Sequence, residues 1–248
     1  MIDYQISTIV IIMLVFIFAG TIKGVVGLGL PPVVLGILTA LTGIHSAMAM
    51  VALPALITNF YQAVSGSHGK LLWQDHWHFF LAATVSIALG CWLALQVNPA
   101  NMSLVLGLLL FSYAALGLTK ITLSIDKRWE PTAGFTLGIA NGVFTGLTGS
   151  SAVPGVFYLQ SVGLPKDKLI QAMGILFTCS SLGLSIGLFW MNILTISTGA
   201  ISLIALVPAI IGMMIGGKIR SFISVQLFQR IFFFSLLLLG GYIVATHL

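Results

Sequence analysis

Four stretches of this chain, Gly24–His68, Phe79–Thr119, Pro131–Pro165 and Leu169–Gly217, contain no Asp, Glu, Lys or Arg. Each is long enough for more than one membrane span, which takes about 20 apolar residues. Composition agrees. Of 248 residues, 58% are hydrophobic and 6% charged, against about a quarter charged in a soluble domain. Such a chain is not a nucleic-acid-binding protein, a secreted disulfide scaffold or a disordered polypeptide. It is expected to be an all-α polytopic membrane protein, because no alternating strand pattern is present and helices satisfy their own backbone in lipid. The net charge of +5 requires no acidic partner, since basic residues mark cytoplasmic loops. Cys91 and Cys179 lie inside apolar runs and read as small apolar residues. The first residues lack a basic region and a small-residue cleavage pattern, so Ile6–Ile22 is expected to be a mature span.

The chain repeats itself. Gly20-x-x-Lys23-Gly24-Val25 is echoed by Gly138-x-x-Asn141-Gly142-Val143, and Gly27-Leu28-Gly29 by Gly146-Leu147-Thr148-Gly149. Further matches follow in the same order: Gly43 with Gly163, Ala52 with Ala172, Thr58 with Thr178, Gly90 with Gly212. Two related halves are expected. They are a first transmembrane repeat (1–122), a charged cytoplasmic linker (123–131) and a second transmembrane repeat (132–248). Each half reads as a glycine-broken segment (6–43 and 132–163) followed by three simpler spans. These are 47–66, 77–97 and 102–119 in the first half, then 168–191, 196–217 and 225–246 in the second.

Positive charge chooses the topology. If each broken segment crosses once, Lys70, Lys120, Lys127 and Arg128 fall on one side and Lys166, Lys168, Lys218 and Arg220 on the other. If each folds back as a hairpin, all eight fall on one side. Basic residues gather in short cytoplasmic loops, which favours the hairpins. Three crossings per half then make an inverted-topology repeat, as in many secondary transporters, with both termini extracytoplasmic. Charge counting leaves open whether the hairpins are re-entrant or two short crossings.

Glycine and proline are concentrated in Gly24–Pro32 and Gly142–Pro154, where a plain span would carry leucine. Non-helical backbone at membrane depth survives only if it is buried in protein or lines a cavity. Each proline suggests a helix start, whose free N–H groups and dipole favour an anion. The candidate substrate-binding residues here are Lys23, Gly27, Gly29, Asn141, Thr148, Gly149, Ser150 and Ser151. Gln171, Gly174, Thr178, Ser181 and Ser185 then form one polar helical face. The first half has a weaker version in Thr58, Asn59 and Gln62. Gln171, Thr178, Thr58, Asn59 and Gln62 join the candidates. Close packing of small residues and interhelical hydrogen bonding are the competing accounts, and Lys23 could snorkel to the cytoplasmic interface.

Enzyme and metal signatures are poor. Trp73-Gln-Asp-His-Trp-His78, with Asp75, His76 and His78, reads as an interfacial loop anchored by tryptophans rather than a metal site. No cofactor, metal or catalytic residue is expected. The five acids, Asp3, Asp75, Asp126, Glu130 and Asp167, are expected in loops or at the terminus, so no carboxylate relay is expected for proton or sodium coupling.

Gly146–Pro165, followed by Asp167-Lys-Leu-Ile-Gln-Ala-Met-Gly174 and Phe177-Thr178, resembles the TauE/SafE (sulfite exporter) family of membrane permeases. Gly24–Pro32 with Gly43 looks like the family's N-terminal glycine motif, interrupted here by Leu28 and Leu30. The resemblance implies a permease in a bacterial cytoplasmic membrane moving sulfite or a short organosulfonate such as sulfoacetate, with the small anion and the lipid bilayer as partners and no nucleic acid. A non-transporting structural or assembly subunit is the alternative. Oligomeric state is not legible, and a homodimer stays open.

Overall fold

The computed structural model describes residues 6–119 and 124–247. Lys120, part of linker 123–131 and both chain ends, all used in the sequence expectations, lie outside the described residues. The described chain is helical: α1 (Ile6–Val26), α2 (Leu30–Thr42), α3 (Ile44–Val64), α4 (Gly69–Val85), α5 (Ile87–Ala94), α6 (Pro99–Leu118), α7 (Glu130–Thr148), α8 (Gly155–Ser161), α9 (Lys166–Trp190), α10 (Ile196–Ile219) and α11 (Val225–His247). Seven stretches are long and apolar enough to span a membrane: α1, α3, α4 with α5, α6, α9, α10 and α11. The expected simpler spans are therefore present with boundaries shifted by three residues or fewer, except that the span expected over 77–97 begins at Gly69, and the broken segments divide into α1–α2 and α7–α8. One expectation fails. Trp73–His78 is not a loop but part of α4, with His76 buried at a non-helical bend in that helix.

The chain forms two compact units, each drawing segments from both halves of the sequence, with the border inside α3 at Pro54. The first unit holds α1, α2, the start of α3, α6, α10 and α11. Here α1 and α10 run parallel with their backbones touching. A Cβ on Gly20 would strike the Ala209 carbonyl, and one on Gly24 would lie 2.9 Å from Gly216 Cα. In the other direction, Gly212 faces the Ile17 carbonyl and Gly216 the Thr21 carbonyl. Small residues replace side-chain interdigitation here because lipid provides no hydrophobic drive between apolar helices. α6 and α11 run antiparallel, with Gly107 against Gly240 and Ile243, and Gly117 against Phe233. Inside α3, Pro54 has no N–H for the Met50 carbonyl. The Ser202 hydroxyl of α10 donates to that carbonyl at 2.9 Å, and accepts from the Leu53 N–H at 3.2 Å.

The second unit holds the end of α3, α4, α5, α7, α8 and α9. α7 runs parallel to α4–α5 through the same kind of contact. Gly138 lies on the Phe79 carbonyl, Gly142 on Ala83 and Ser86, and Gly146 on Ile87 and Gly90. The end of α3 is antiparallel to α9, since Asn59 meets Ser181, Gly174 meets Ala63, and Gly66 meets Gln171. After α7 the chain turns back. Gly155 returns to Asn141, Tyr158 to Glu130 and Gly134, and the Ile125 N–H donates to the Ser161 carbonyl at 3.0 Å. The hairpin therefore brings its second leg back to the level at which α7 begins.

Candidate functional site

The turn between α7 and α8 begins at Gly149, whose φ of 78° is left-handed, a conformation costly for a residue with a Cβ. Thr148 tightens it: its hydroxyl donates to the Phe144 carbonyl at 2.7 Å and accepts from the Ser150 N–H at 3.2 Å. The Thr145 hydroxyl donates to the Asn141 carbonyl at 2.7 Å. The Asn141 side chain, 0% exposed, accepts the Gly155 N–H on Oδ1 at 2.9 Å. An amide nitrogen cannot accept that hydrogen, so the orientation of the side-chain amide is fixed. Its Nδ2 is left buried without a partner. Among the described residues, the backbone N–H groups of Ser151, Ala152 and Val153 also make no hydrogen bond. Buried polar groups are nearly always paired, and the Asn141 amide, with three further unpaired amides beside it on buried Ser151 and Ala152 and half-buried Val153, forms an arrangement short of an acceptor.

Part of the free amides expected at the helix starts is engaged within the chain. In α8 the Gly155 N–H is spent on Asn141 and the Val156 N–H on the Ala152 carbonyl. In α2, Pro31 and Pro32 fall in the first turn and carry no N–H, while the Val33 N–H bonds to the Gly29 carbonyl at 3.1 Å. The same prolines that mark a helix start remove its donors. The first hairpin turns through Gly27 and Gly29, with φ of 86° and 113°. The Gly27 N–H bonds to the Lys23 carbonyl at 2.7 Å, and the Lys23 side chain is buried in α1.

The polar face of α9 knits helices together. Gln171 Nε2 donates to the Ala63 and Gly66 carbonyls at 2.8 and 2.9 Å, and its Oε1 accepts the His68 N–H at 2.9 Å. It thereby closes the C-terminus of α3, whose last carbonyls have no partner in their own helix. Gln62 Nε2 donates to the Ile170 carbonyl at 2.9 Å, and Asn59 Nδ2 to Ser181 Oγ at 3.3 Å. Thr58 donates to the Ala55 carbonyl at 3.4 Å, and Thr178 to the Gly174 carbonyl at 2.7 Å. Of the sequence candidates, Asn141, Thr148, Gly149, Ser150 and Ser151 come together at the second turn, and Gln62, Asn59 and Gln171 at the α3–α9 contact.

Sequence reasoning missed Ser180. It lies off the polar face, among Met173, Leu176, Phe177 and Leu184 of α9, is 1% exposed, and its hydroxyl has no partner. A lone serine on an otherwise apolar buried face was the available signal. Also missed was the contact of Tyr158 on α8 with His76, whose Nδ1 lies 3.4 Å from the phenol oxygen. Among the described residues no group of three or more His, Cys, Asp or Glu is placed to hold a metal ion.

Seven apolar spans and two glycine-cornered hairpins, with no strand among the described residues, define an all-α polytopic membrane protein. Residues 12–243 match the family described as sulfite exporter TauE/SafE, and the chain belongs to it. That family is one of membrane transporters for sulfur-containing anions. No curated protein and no solved structure matches the chain.

Proposed function

We propose that this chain is a secondary permease for a small anion, sulfite or a short organosulfonate such as sulfoacetate, working by alternating access in a bacterial cytoplasmic membrane. The observation that carries this reading is the surplus of donors at the second hairpin turn. Asn141 Nδ2 and the amides of Ser151, Ala152 and Val153 have no acceptor among the described residues, and an anion supplies one. Ser150 and Ser151 add hydroxyls at the same turn, which Thr148 holds in shape through its bonds to the Phe144 carbonyl and the Ser150 N–H. Asn141 sits near the middle of α7, the depth at which transporters of inverted-repeat design bind substrate.

Helix directions support the inverted repeat and the hairpin topology. If each broken segment crossed the membrane once, α3 and α9 would run parallel, and so would α6 and α11. Both pairs run antiparallel, as a returning segment requires, and in each pair the two helices are repeat mates by sequence. With all the basic loops cytoplasmic, both termini lie outside. The decisive experiment is reconstitution of the purified protein in liposomes, with uptake measured for sulfite, methanesulfonate, sulfoacetate, sulfate and a dicarboxylate. Saturable transport of sulfite or a sulfonate is expected. A protein that moves none of them is no permease of this class, and the hairpins then serve packing alone.

A further inference from the structure

A buried hydroxyl without a partner is costly, because it has given up its water and gained nothing. Ser180 holds such a hydroxyl on α9, and Asn141 such an amide on α7. Two contacts place them at one depth in the second unit. Gly183, one turn beyond Ser180, lies on Thr84 and Ile87. Those residues belong to the turns of α4–α5 that Gly142 and Gly146 of α7 meet. The neighbourhoods also touch directly: a Cβ on Gly155 would lie 2.6 Å from Asn141 Oδ1 and 2.7 Å from Leu176 Cδ2, and Leu176 precedes Ser180 by one turn on the same helix face.

The chemistry around these donors is neutral. The cations of the second unit among the described residues are Lys70, Lys127, Arg128, Lys166 and Lys168, all at the loop ends of α4, α7 and α9. Taking an ion out of water costs free energy that rises with the square of its charge, so a dianion loses roughly four times what a monoanion loses. Neutral hydrogen bonds can offset the first charge, as charge-assisted bonds are about twice as strong as neutral ones. They supply nothing specific for a second.

Resting on the permease reading above, we propose that Asn141 and Ser180, with the amides of Ser151 to Val153, form an oxyanion pocket selective for a singly charged, sulfonate-type head, and that they discriminate against a doubly charged head such as sulfate. Ser180 is thus a specificity residue. Its hydroxyl and the Asn141 amide each point a hydrogen at one oxygen of the head, and the leg between Gly149 and Gly155 covers the remainder.

The test uses the full chain in lipid nanodiscs, with calorimetric titration of methanesulfonate and of sulfate, and thermal melts without ligand. Wild type should bind methanesulfonate at least tenfold more tightly than sulfate. Ser180→Ala should melt at the same or a higher temperature than wild type, since it deletes an unsatisfied hydroxyl, yet bind methanesulfonate about tenfold more weakly. Asn141→Asp keeps the acceptor for the Gly155 N–H while removing the amide donor, so it should fold and lose measurable methanesulfonate binding. Ser185→Ala, whose hydroxyl is bonded to its own helix at Ser181, is the control and should match wild type. Equal affinity for sulfate, or unchanged methanesulfonate affinity in Ser180→Ala, overturns the proposal while leaving a working permease. Absence of anion binding and transport in wild type overturns the permease reading and this pocket together.

Discussion

Asn141 Oδ1 accepts the backbone N–H of Gly155 at 2.9 Å, across fourteen residues of chain. That one bond registers the returning leg of the hairpin against the middle of α7 and leaves both amide hydrogens of Asn141 without a partner. Gly155 is small for a reason, since a methyl there would strike both Asn141 and Leu176. Gly155→Ala should push the leg outward, costing about 1–3 kcal/mol of stability for overpacking, and should abolish transport in molecules that remain folded. Thermal melts and uptake on the same preparation separate the two effects. Wild-type transport by Gly155→Ala would mean that the leg's position does not matter to the substrate.

Ser202 stands in for a missing backbone donor. Its hydroxyl caps the Met50 carbonyl that Pro54 leaves open, so Ser202→Ala should cost about 1–3 kcal/mol, the penalty for an unsatisfied buried acceptor. In a Pro54→Ala background the residue-54 N–H can close the helical bond, and the same Ser202→Ala change should become nearly silent. A double-mutant cycle by chemical denaturation measures the coupling. Additive costs would show that the hydroxyl is not serving that carbonyl.

The spans were legible because twenty apolar residues in a row admit one reading, and the hairpins because glycine and proline interrupt them. The purpose of individual polar residues was not. Gln171 facing a cavity and Gln171 closing the end of α3 have the same spacing in sequence, and only the neighbouring carbonyls of Ala63 and Gly66 distinguish them. Gly20 and Gly24 likewise read only as a motif repeated at Gly138 and Gly142, and the structure gives it a packing role through backbone contacts with Ala209, Met213 and Gly216 of α10. Ser180 went unseen because periodicity counts polar residues that agree with one another, and a functional donor on an apolar face agrees with none.

Thr178 shows how the structure changes an expectation. As the repeat mate of Thr58, on the same face as Gln171, it read as a donor to the anion. Its hydroxyl hydrogen is instead given to the Gly174 carbonyl one turn back, a common way for threonine to satisfy itself inside a membrane helix. Thr178→Val should therefore leave methanesulfonate affinity within about twofold of wild type, far short of the tenfold that losing a hydrogen bond worth 1.5–3 kcal/mol would bring. Calorimetry on this variant beside Ser180→Ala tells the two faces of α9 apart, and a tenfold loss in Thr178→Val would restore the polar face to the site.

Topology has its own test at Lys127, which lies exposed in the segment preceding α7. A cysteine there should resist a membrane-impermeant thiol reagent in intact cells and react once the membrane is opened. Ready labelling in intact cells would reverse the orientation and put the basic loops outside, against the charge rule. The same measurement at Asn98, between α5 and α6, should give the opposite pattern.

The expected driving force follows from the absence, among the described residues, of carboxylates deep in the spans. Glu130 and Asp167 stand in the first turns of α7 and α9, and Asp75 is exposed in the second turn of α4, so no acidic relay reaches the hairpin turn. A singly charged anion then crosses with its charge uncompensated and feels the membrane potential, about 2.3 kcal/mol per 100 mV. In liposomes at equal pH on both sides, an imposed inside-negative potential should accelerate methanesulfonate efflux and slow its uptake, and reversing the potential should reverse both. Transport that ignores voltage but requires a pH gradient would mean a proton travels with the anion. Buried His76, in contact with Tyr158 on the hairpin's returning leg, would then be the residue to substitute first.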